Sequence, residues 1–444
     1  MRVDAHVYET AAVAFQEPYT DAHSNHSPDR AAMELHEIRN ADDADIWARE
    51  FIARVIVACP RRQPTSDDER RAQELVREQY DALGLTTEHQ RFTFNNNLYA
   101  NLLVHFGVGV LGSVVALTSP ALGLALHSLA GISYLADSTR RAFILRRLFP
   151  FRESLNTLAT LPSIGERRLR IVLVSHVDAA FTGMLFQPWF VKRFGAQPGP
   201  MYKSMRVATL SLGALALLDA WELGAGPSTL SRVLRLGLTV PSLIAAALNL
   251  DIVVRNQIVP GANDNLSGVA GGLALARLLR ERRPEGVEFV FVTAGCEEAS
   301  LGGSDALARR MKDEWKRDDT VILAIDGFSN GTLHWFHEGE VLPIRPCGWL
   351  ESVLNDMRRD PRWAELQSLD VPVGGTDAVP FAIRGYDAVG IGCVDSALKA
   401  PRHYHLPTDT ADALDVGKIG WCVSFCLDLI DRVARSHPRS GIAG

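Results

Sequence analysis

The chain of 444 residues carries 46 Lys+Arg against 52 Asp+Glu, a formal net charge of −6, which excludes a basic nucleic-acid footprint and leaves room for two or three domains of about 100–200 residues each. Six cysteines, at 59, 296, 347, 393, 422 and 426, form no Cys-x-x-Cys pair and no disulfide framework, so a reducing compartment is the simpler expectation. An apolar content of 47% beside 22% charged residues requires the apolar residues to be concentrated locally.

Residues 1–40 lack the basic start, apolar stretch and cleavage site of a secretory leader and are expected to be a loosely ordered tail. Ser66, the acids after it and the stop at Gly84 predict a helix over 66–83, and Thr87–Phe94 a strand. From Leu98 to Ala136 there is no Asp, Glu, Lys or Arg, and Pro120 breaks the run near its middle. At ~1.5 Å per residue each half nearly matches a hydrocarbon layer of ~30 Å. A second apolar region, 207–218 and 236–250, is joined by the polar "DAWELGAGPSTLSRVLR", and its halves fall short of the ~17–25 residues that a crossing needs. These regions predict two apolar helical hairpins, 98–149 and 201–251, inserted into a discontinuous domain of residues 41–97, 150–200 and 252–444.

Beyond the inserts the pattern is βα alternation. "RLRIVLVSH" (168–176), "GVEFVFVTA" (286–294) and "TVILAID" (320–326) predict buried strands, with helices in "SGVAGGLALARLLRER" and "GGSDALARRMKDEW". The expected class is α/β, a mostly parallel central sheet flanked by helices. His176 and Asp178, Glu297 and Glu298, and Asp326 fall at the carboxyl ends of these strands, where such sheets bind ligands.

The turn "PGANDNLSG" (260–268) adds Asp264 between two asparagines ahead of a helix. Helix capping accounts for such a residue by itself. His405 completes a set of acids and histidines whose mutual repulsion would be costly unless cations sit among them. Nitrogen and carboxylate donors without thiolate suit catalytic Zn²⁺ and tolerate Mn²⁺ or Co²⁺. A glutamate pair can divide its work between ligand and general base.

Together "SHVD", "GANDNLSGV", "CEEASLGGS", "AID" and "HYHLPTDT" resemble the co-catalytic zinc aminopeptidase family, which contains bacterial leucyl aminopeptidases and the glutaminyl cyclases, over residues 50–97 and 153–435. The resemblance implies two zinc ions per chain, with His176, Asp264, Glu298, Asp326 and His405 as ligands and Asp264 bridging. It implies Glu297 as general base, Asp178 as the residue orienting His176, and a peptide substrate. Ala378 stands in "GTDAVPF" where the family usually has histidine, which leaves the substrate contacts open. His403 is the alternative to His405, and on an extended segment the two would share a face. His334 and His337 in "GTLHWFHEG", and Cys296, are expected to be structural.

The function expected is a zinc-dependent aminopeptidase. The alternatives are glutaminyl cyclase-like acyl transfer and a membrane scaffold with an inactive peptidase domain. Arg140, Arg141, Arg146, Arg147 and Arg152 after the first hairpin, with Lys192, Arg193, Lys203 and Arg206 before the second, predict membrane association with the catalytic domain on the cytoplasmic side. A soluble helical cap or dimer interface is the alternative.

Overall fold

The computed structural model describes residues 33–195 and 203–438. Residues 1–32 of the expected tail lie outside this range. Residues 33–40 correct that expectation: Leu35 and Ile38 are buried in the main core, packed beneath the helices that follow.

In chain order the elements are α1 (Ala41–Ala58), α2 (Asp67–Ala82), β1 (Thr86–Phe94), α3 (Leu98–Val115), α4 (Pro120–Ser138), β2 (Arg152–Leu161), β3 (Leu169–His176), the single turn α5 (Pro188–Phe190), α6 (Ser204–Ala225) and α7 (Thr229–Arg255). They continue with α8 (Gly268–Glu281), β4 (Val287–Ala294), α9 (Gly302–Met311), β5 (Thr320–Ile325), β6 (Thr332–His337), α10 (Gly348–Arg358), β7 (Gln367–Asp370), the short α11 (Val379–Ala382), β8 (Asp387–Val394) and α12 (Lys418–Ser436). Local chemistry sets several starts. Ser66 accepts the Glu69 N–H to cap α2, and Asn97 accepts the Ala100 N–H to cap α3.

Eight strands form one mixed sheet in the order β1-β2-β4-β3-β5-β8-β6-β7. The centre, β4-β3-β5-β8, is parallel, whereas β1–β2, β2–β4 and β6–β8 are antiparallel. Strands β3, β4 and β5 each carry a continuous apolar stretch, at 171–174, 289–292 and 321–325, because both sheet faces are covered. One face carries the larger core, including Trp47, Tyr80, Leu273, Phe289 and Phe425; the other carries a smaller one, including Val172, Leu307, Trp315 and Phe381.

The apolar regions form four helices in one assembly: α3 packs on α4 and α7, and α6 on α4 and α7. Its interior holds Leu102, Phe106, Ala130, Tyr134, Ala208 and Leu212. The second region departs from expectation. Its helices run 22 and 27 residues, through the polar connector, and only Gly226–Ser228 separates them. Three of the connector's four charges are buried instead of forming a loop, with Arg232 alone exposed: Arg235 pairs with Asp219 and Glu222, and His127 Nδ1 lies 2.6 Å from Asp219 Oδ2. Three of the helices, α3, α6 and α7, are long and apolar enough to cross a membrane by length and composition.

Candidate metal centre

Strands β4, β3 and β5 lie side by side and point the same way, so their carboxyl ends form one rim. His176 ends β3, Glu297 and Glu298 follow β4, and Asp326 follows β5. Asp264 enters from the turn before α8, and His405 from a turn between β8 and α12. Every expected ligand arrives at this rim, together with Glu297. His176 Nε2 lies 3.3 Å from Asp264 Oδ1, 3.7 Å from Glu297 Oε2 and 3.8 Å from Asp326 Oδ1. His405 Nε2 lies 3.2 Å from the other oxygen of Asp264 and 3.3 Å from Glu298 Oε1. Two ligand clusters result, His176–Asp264–Glu298 and His176–Glu297–Asp326, each with its donor atoms within 4.8 Å of one another.

A scaffold of backbone hydrogen bonds aims these groups. The Asp178 carboxylate accepts the N–H groups of Glu297 (3.1 Å) and Glu298 (2.9 Å), while its Oδ1 lies 3.6 Å from His176 Nδ1. Asp409 accepts the N–H groups of Asn263 (2.9 Å) and Asp264 (3.1 Å). The guanidinium of Arg62, fully buried, donates to the carbonyls of Val177 (3.0 Å) and Pro260 (2.7 Å), joining the His176 and Asp264 loops. Gly261 has φ +62°, and a Cβ there would meet the Asp264 carbonyl at 2.6 Å, so that turn requires glycine. Cys296 and His405 hold φ of 55° and 52°, a region that non-glycine residues seldom occupy and that functional sites often use.

The acids carry more negative charge than the two imidazoles balance. Burial raises the proton affinity of Glu297, and the charges of Glu298, Asp377 and Asp326 raise it further. Burial likewise lifts Glu298 and Asp326. For the histidines burial acts downward, but Glu297 with the contacts to Asp178, Asp264 and Asp326 holds His176 well above its usual range, and Glu298 with Asp264 lifts His405 to about 10. Asp264 goes the other way, held low against burial by both imidazoles. Without a cation, protons must neutralise this site. Glu298 Oε1, buried, makes no hydrogen bond. Bound cations would displace those protons and satisfy the lone pairs, and the nitrogen-and-oxygen donor set fits zinc.

The remaining candidates fall elsewhere. His334 is buried with Nδ1 on the Thr332 carbonyl, and His337 Nε2 contacts Glu351 at 2.8 Å, both on β6, inside the edge strand β7. The segment around His405 is a turn, not the extended strand that would align His403 with it. His403 faces Thr408 at 2.8 Å. Burial pushes the Cys296 thiol up, which disfavours a nucleophilic thiolate, and the residue packs with Phe94 and Ala299. Ala378 is buried at the start of α11 beside Asp377, whose carboxylate accepts the Ser304 hydroxyl at 2.6 Å. Sequence reasoning passed over Arg62, Asp409 as an acceptor, and Tyr99, whose hydroxyl lies 3.2 Å from His405 Nδ1. An arginine in the short "CPRRQP" link was a weak signal, Asp409 stood in the "HYHLPTDT" motif with no sign of its backbone partners, and Tyr99 had no signal.

Residues 250–430 match Peptidase family M28. The chain is 28% identical over 196 residues to the uncharacterized protein YfbL of Escherichia coli (strain K12), a match that takes in 38% of this chain and 59% of that relative's length. Its fold resembles that of the Acidobacteriales bacterium glutaminyl cyclase, with a TM-score of 0.51 at 16% identity, over 93% of this chain and 98% of that one. An aminopeptidase from Aneurinibacillus sp. strain AM-1 is similar at a TM-score of 0.52 and 14% identity, over 87% and 93% of the two chains. The chain thus has an M28 peptidase-like fold, similar to structures bearing aminopeptidase and glutaminyl cyclase names, and carries two candidate metal-binding clusters of its own.

Proposed function

We propose that this protein is a metal-dependent exopeptidase that releases N-terminal residues from peptides, using two zinc ions, with Mn²⁺ or Co²⁺ as substitutes. The approach of His176 and His405 to opposite oxygens of Asp264 carries this reading, because it suits a carboxylate shared between two cations. On this reading His405, Asp264 and Glu298 hold one ion, and His176, Asp264 and Asp326 the other. Bound zinc supplies Lewis acidity and a water that loses its proton near neutral pH.

Glu297, although its oxygen falls within the second cluster and 3.7 Å from His176 Nε2, is left outside those two sets, which places an unligated carboxylate beside the metals as general base. It takes the proton of the attacking water and returns it to the leaving amine. Asp178 holds both glutamate N–H groups and flanks His176, which fixes base and ligand against each other. The apolar helices seat the chain in a membrane with the catalytic sheet on the cytoplasmic side.

The test combines elemental analysis of the purified chain with release of a free amino acid from short peptides. Glu297→Gln should keep its metal and lose turnover by roughly 10²–10⁴-fold, the usual scale for a general base. A near-parental rate removes Glu297 from that role. Cyclisation of an N-terminal glutamine without hydrolysis favours acyl transfer, and a metal-free inert chain favours a scaffold.

A further inference from the structure

The two imidazoles of the centre are held by different parts of the molecule. His176 turns its Nδ1 to its own loop, 3.1 Å from the Asp178 carbonyl. His405 turns its Nδ1 to the hydroxyl of Tyr99, 3.2 Å away, in the first turn of the apolar helix α3. With Nε2 on the carboxylates of Asp264 and Glu298, the ring also meets two aromatics, Tyr404 at 3.9 Å and Phe186 at 4.4 Å between centroids.

We propose that Tyr99 is the positioning residue for His405, so that the seating of the apolar helices on the sheet governs one of the two metal positions. The inference rests on the reading of His405 as a ligand. With Nε2 directed at a cation, the ring proton must sit on Nδ1, where it donates to the Tyr99 oxygen. That hydrogen bond fixes both the tautomer and the plane of the ring.

Tyr99 is itself held firmly. It is 5% exposed and meets Phe181 and Phe186 edge-on, at 6.3 and 6.2 Å between centroids. Two residues on, Asn101 donates to Asp137 at the end of α4 (3.3 Å), Asp137 pairs with Arg146, and Arg146 donates to the Ala299 carbonyl (3.0 Å), next to Glu298. From the other side, Asp251 of α7 accepts the Met184 N–H (2.7 Å) and holds the loop that carries Phe186. The helices therefore grip the loops around His405 at three points. A peptidase sheet without them would lack this partner for the imidazole.

The experiment uses the full chain in the detergent or lipid in which it purifies, with zinc affinities measured by competition against a chromophoric chelator. Tyr99→Phe keeps the ring contacts with Phe181 and Phe186 and removes only the oxygen. One zinc equivalent should weaken by about 10–100-fold, the usual effect of losing such a partner, while the other is unchanged and kcat falls more than KM. Phe181→Leu disturbs the same cluster without touching the hydrogen bond and should lower the melting temperature with both affinities kept. A Tyr99→Phe chain that retains both affinities, or that weakens both in step with its melting temperature, overturns the inference. A parent chain that takes up no zinc overturns the metallopeptidase reading and this inference together, whereas equal uptake of two equivalents by parent and variant overturns the inference alone.

Discussion

Asp264 and Asn265 divide two tasks that "PGANDNLSG" leaves entangled. Asn265 Oδ1 accepts the Gly268 N–H at 3.1 Å and the Gly327 N–H at 3.0 Å, which is the capping work, while the Asp264 carboxylate faces both imidazoles. Asp264→Ala should therefore lose metal, measured by elemental analysis, with no recovery at neutral pH. A cap would instead cost about 0.5–2 kcal/mol of stability with full metal content retained, and that result would refute the bridging role. The candidate ligands were legible because histidines and acids at strand ends are chemically conspicuous. Asp409, Arg62 and Tyr99 were not, because their partners are backbone groups or a ring brought close from distant segments, and residue type does not announce such a partner.

Elements were legible where burial on both faces imposes a continuous apolar run, as in β3, β4 and β5. Strand β2 hid behind its composition. Its Ser154, Asn156 and Thr157 are buried but satisfied, Asn156 by Gln90 and Gly303, Ser154 by Glu69 and Thr157 by Gln73. The same cause hid the ends of α6 and α7, since charged residues were read as a loop when they pair inside the helices. Replacing Arg235 by alanine would strand Glu222 in an apolar interior and leave Asp219 to His127, and breaking such a buried pair typically costs about 3–5 kcal/mol. Thermal unfolding of the detergent-solubilised chain should show that loss, and adding Asp219→Asn with Glu222→Gln should recover much of it. An Arg235→Ala chain that melts with the parent would mean that the network is incidental to the helices.

For the molecule as a whole, the outer faces of the four apolar helices decide where it resides. Leu210, Leu217, Leu230, Leu236 and Val254 are 66%, 75%, 67%, 73% and 73% exposed, and Leu111, Val114, Leu122 and Ile132 continue the apolar surface on α3 and α4. Rows of this extent, on several helices at once, call for lipid or a partner. The helices α3, α4, α6 and α7 have 18, 19, 22 and 27 residues. At ~1.5 Å per residue they are about 27–40 Å long, close to or beyond a ~30 Å hydrocarbon core. Their buried charges are paired with one another, as ionisable groups inside a membrane must be. The flanking cations need one correction. Arg140 and Arg146 are buried and bind the Ser300 and Ala299 carbonyls, so they lock the helices to the sheet and do not meet headgroups. Arg141, Arg147, Arg152, Lys192 and Arg193 remain exposed, and the positive-inside tendency then favours a cytoplasmic sheet. Fractionation without detergent should leave the chain in the pellet through a carbonate wash. Recovery of monodisperse, active chain in the supernatant after high-speed sedimentation would sink the membrane reading and return the exposed rows to a partner or a second copy of the chain.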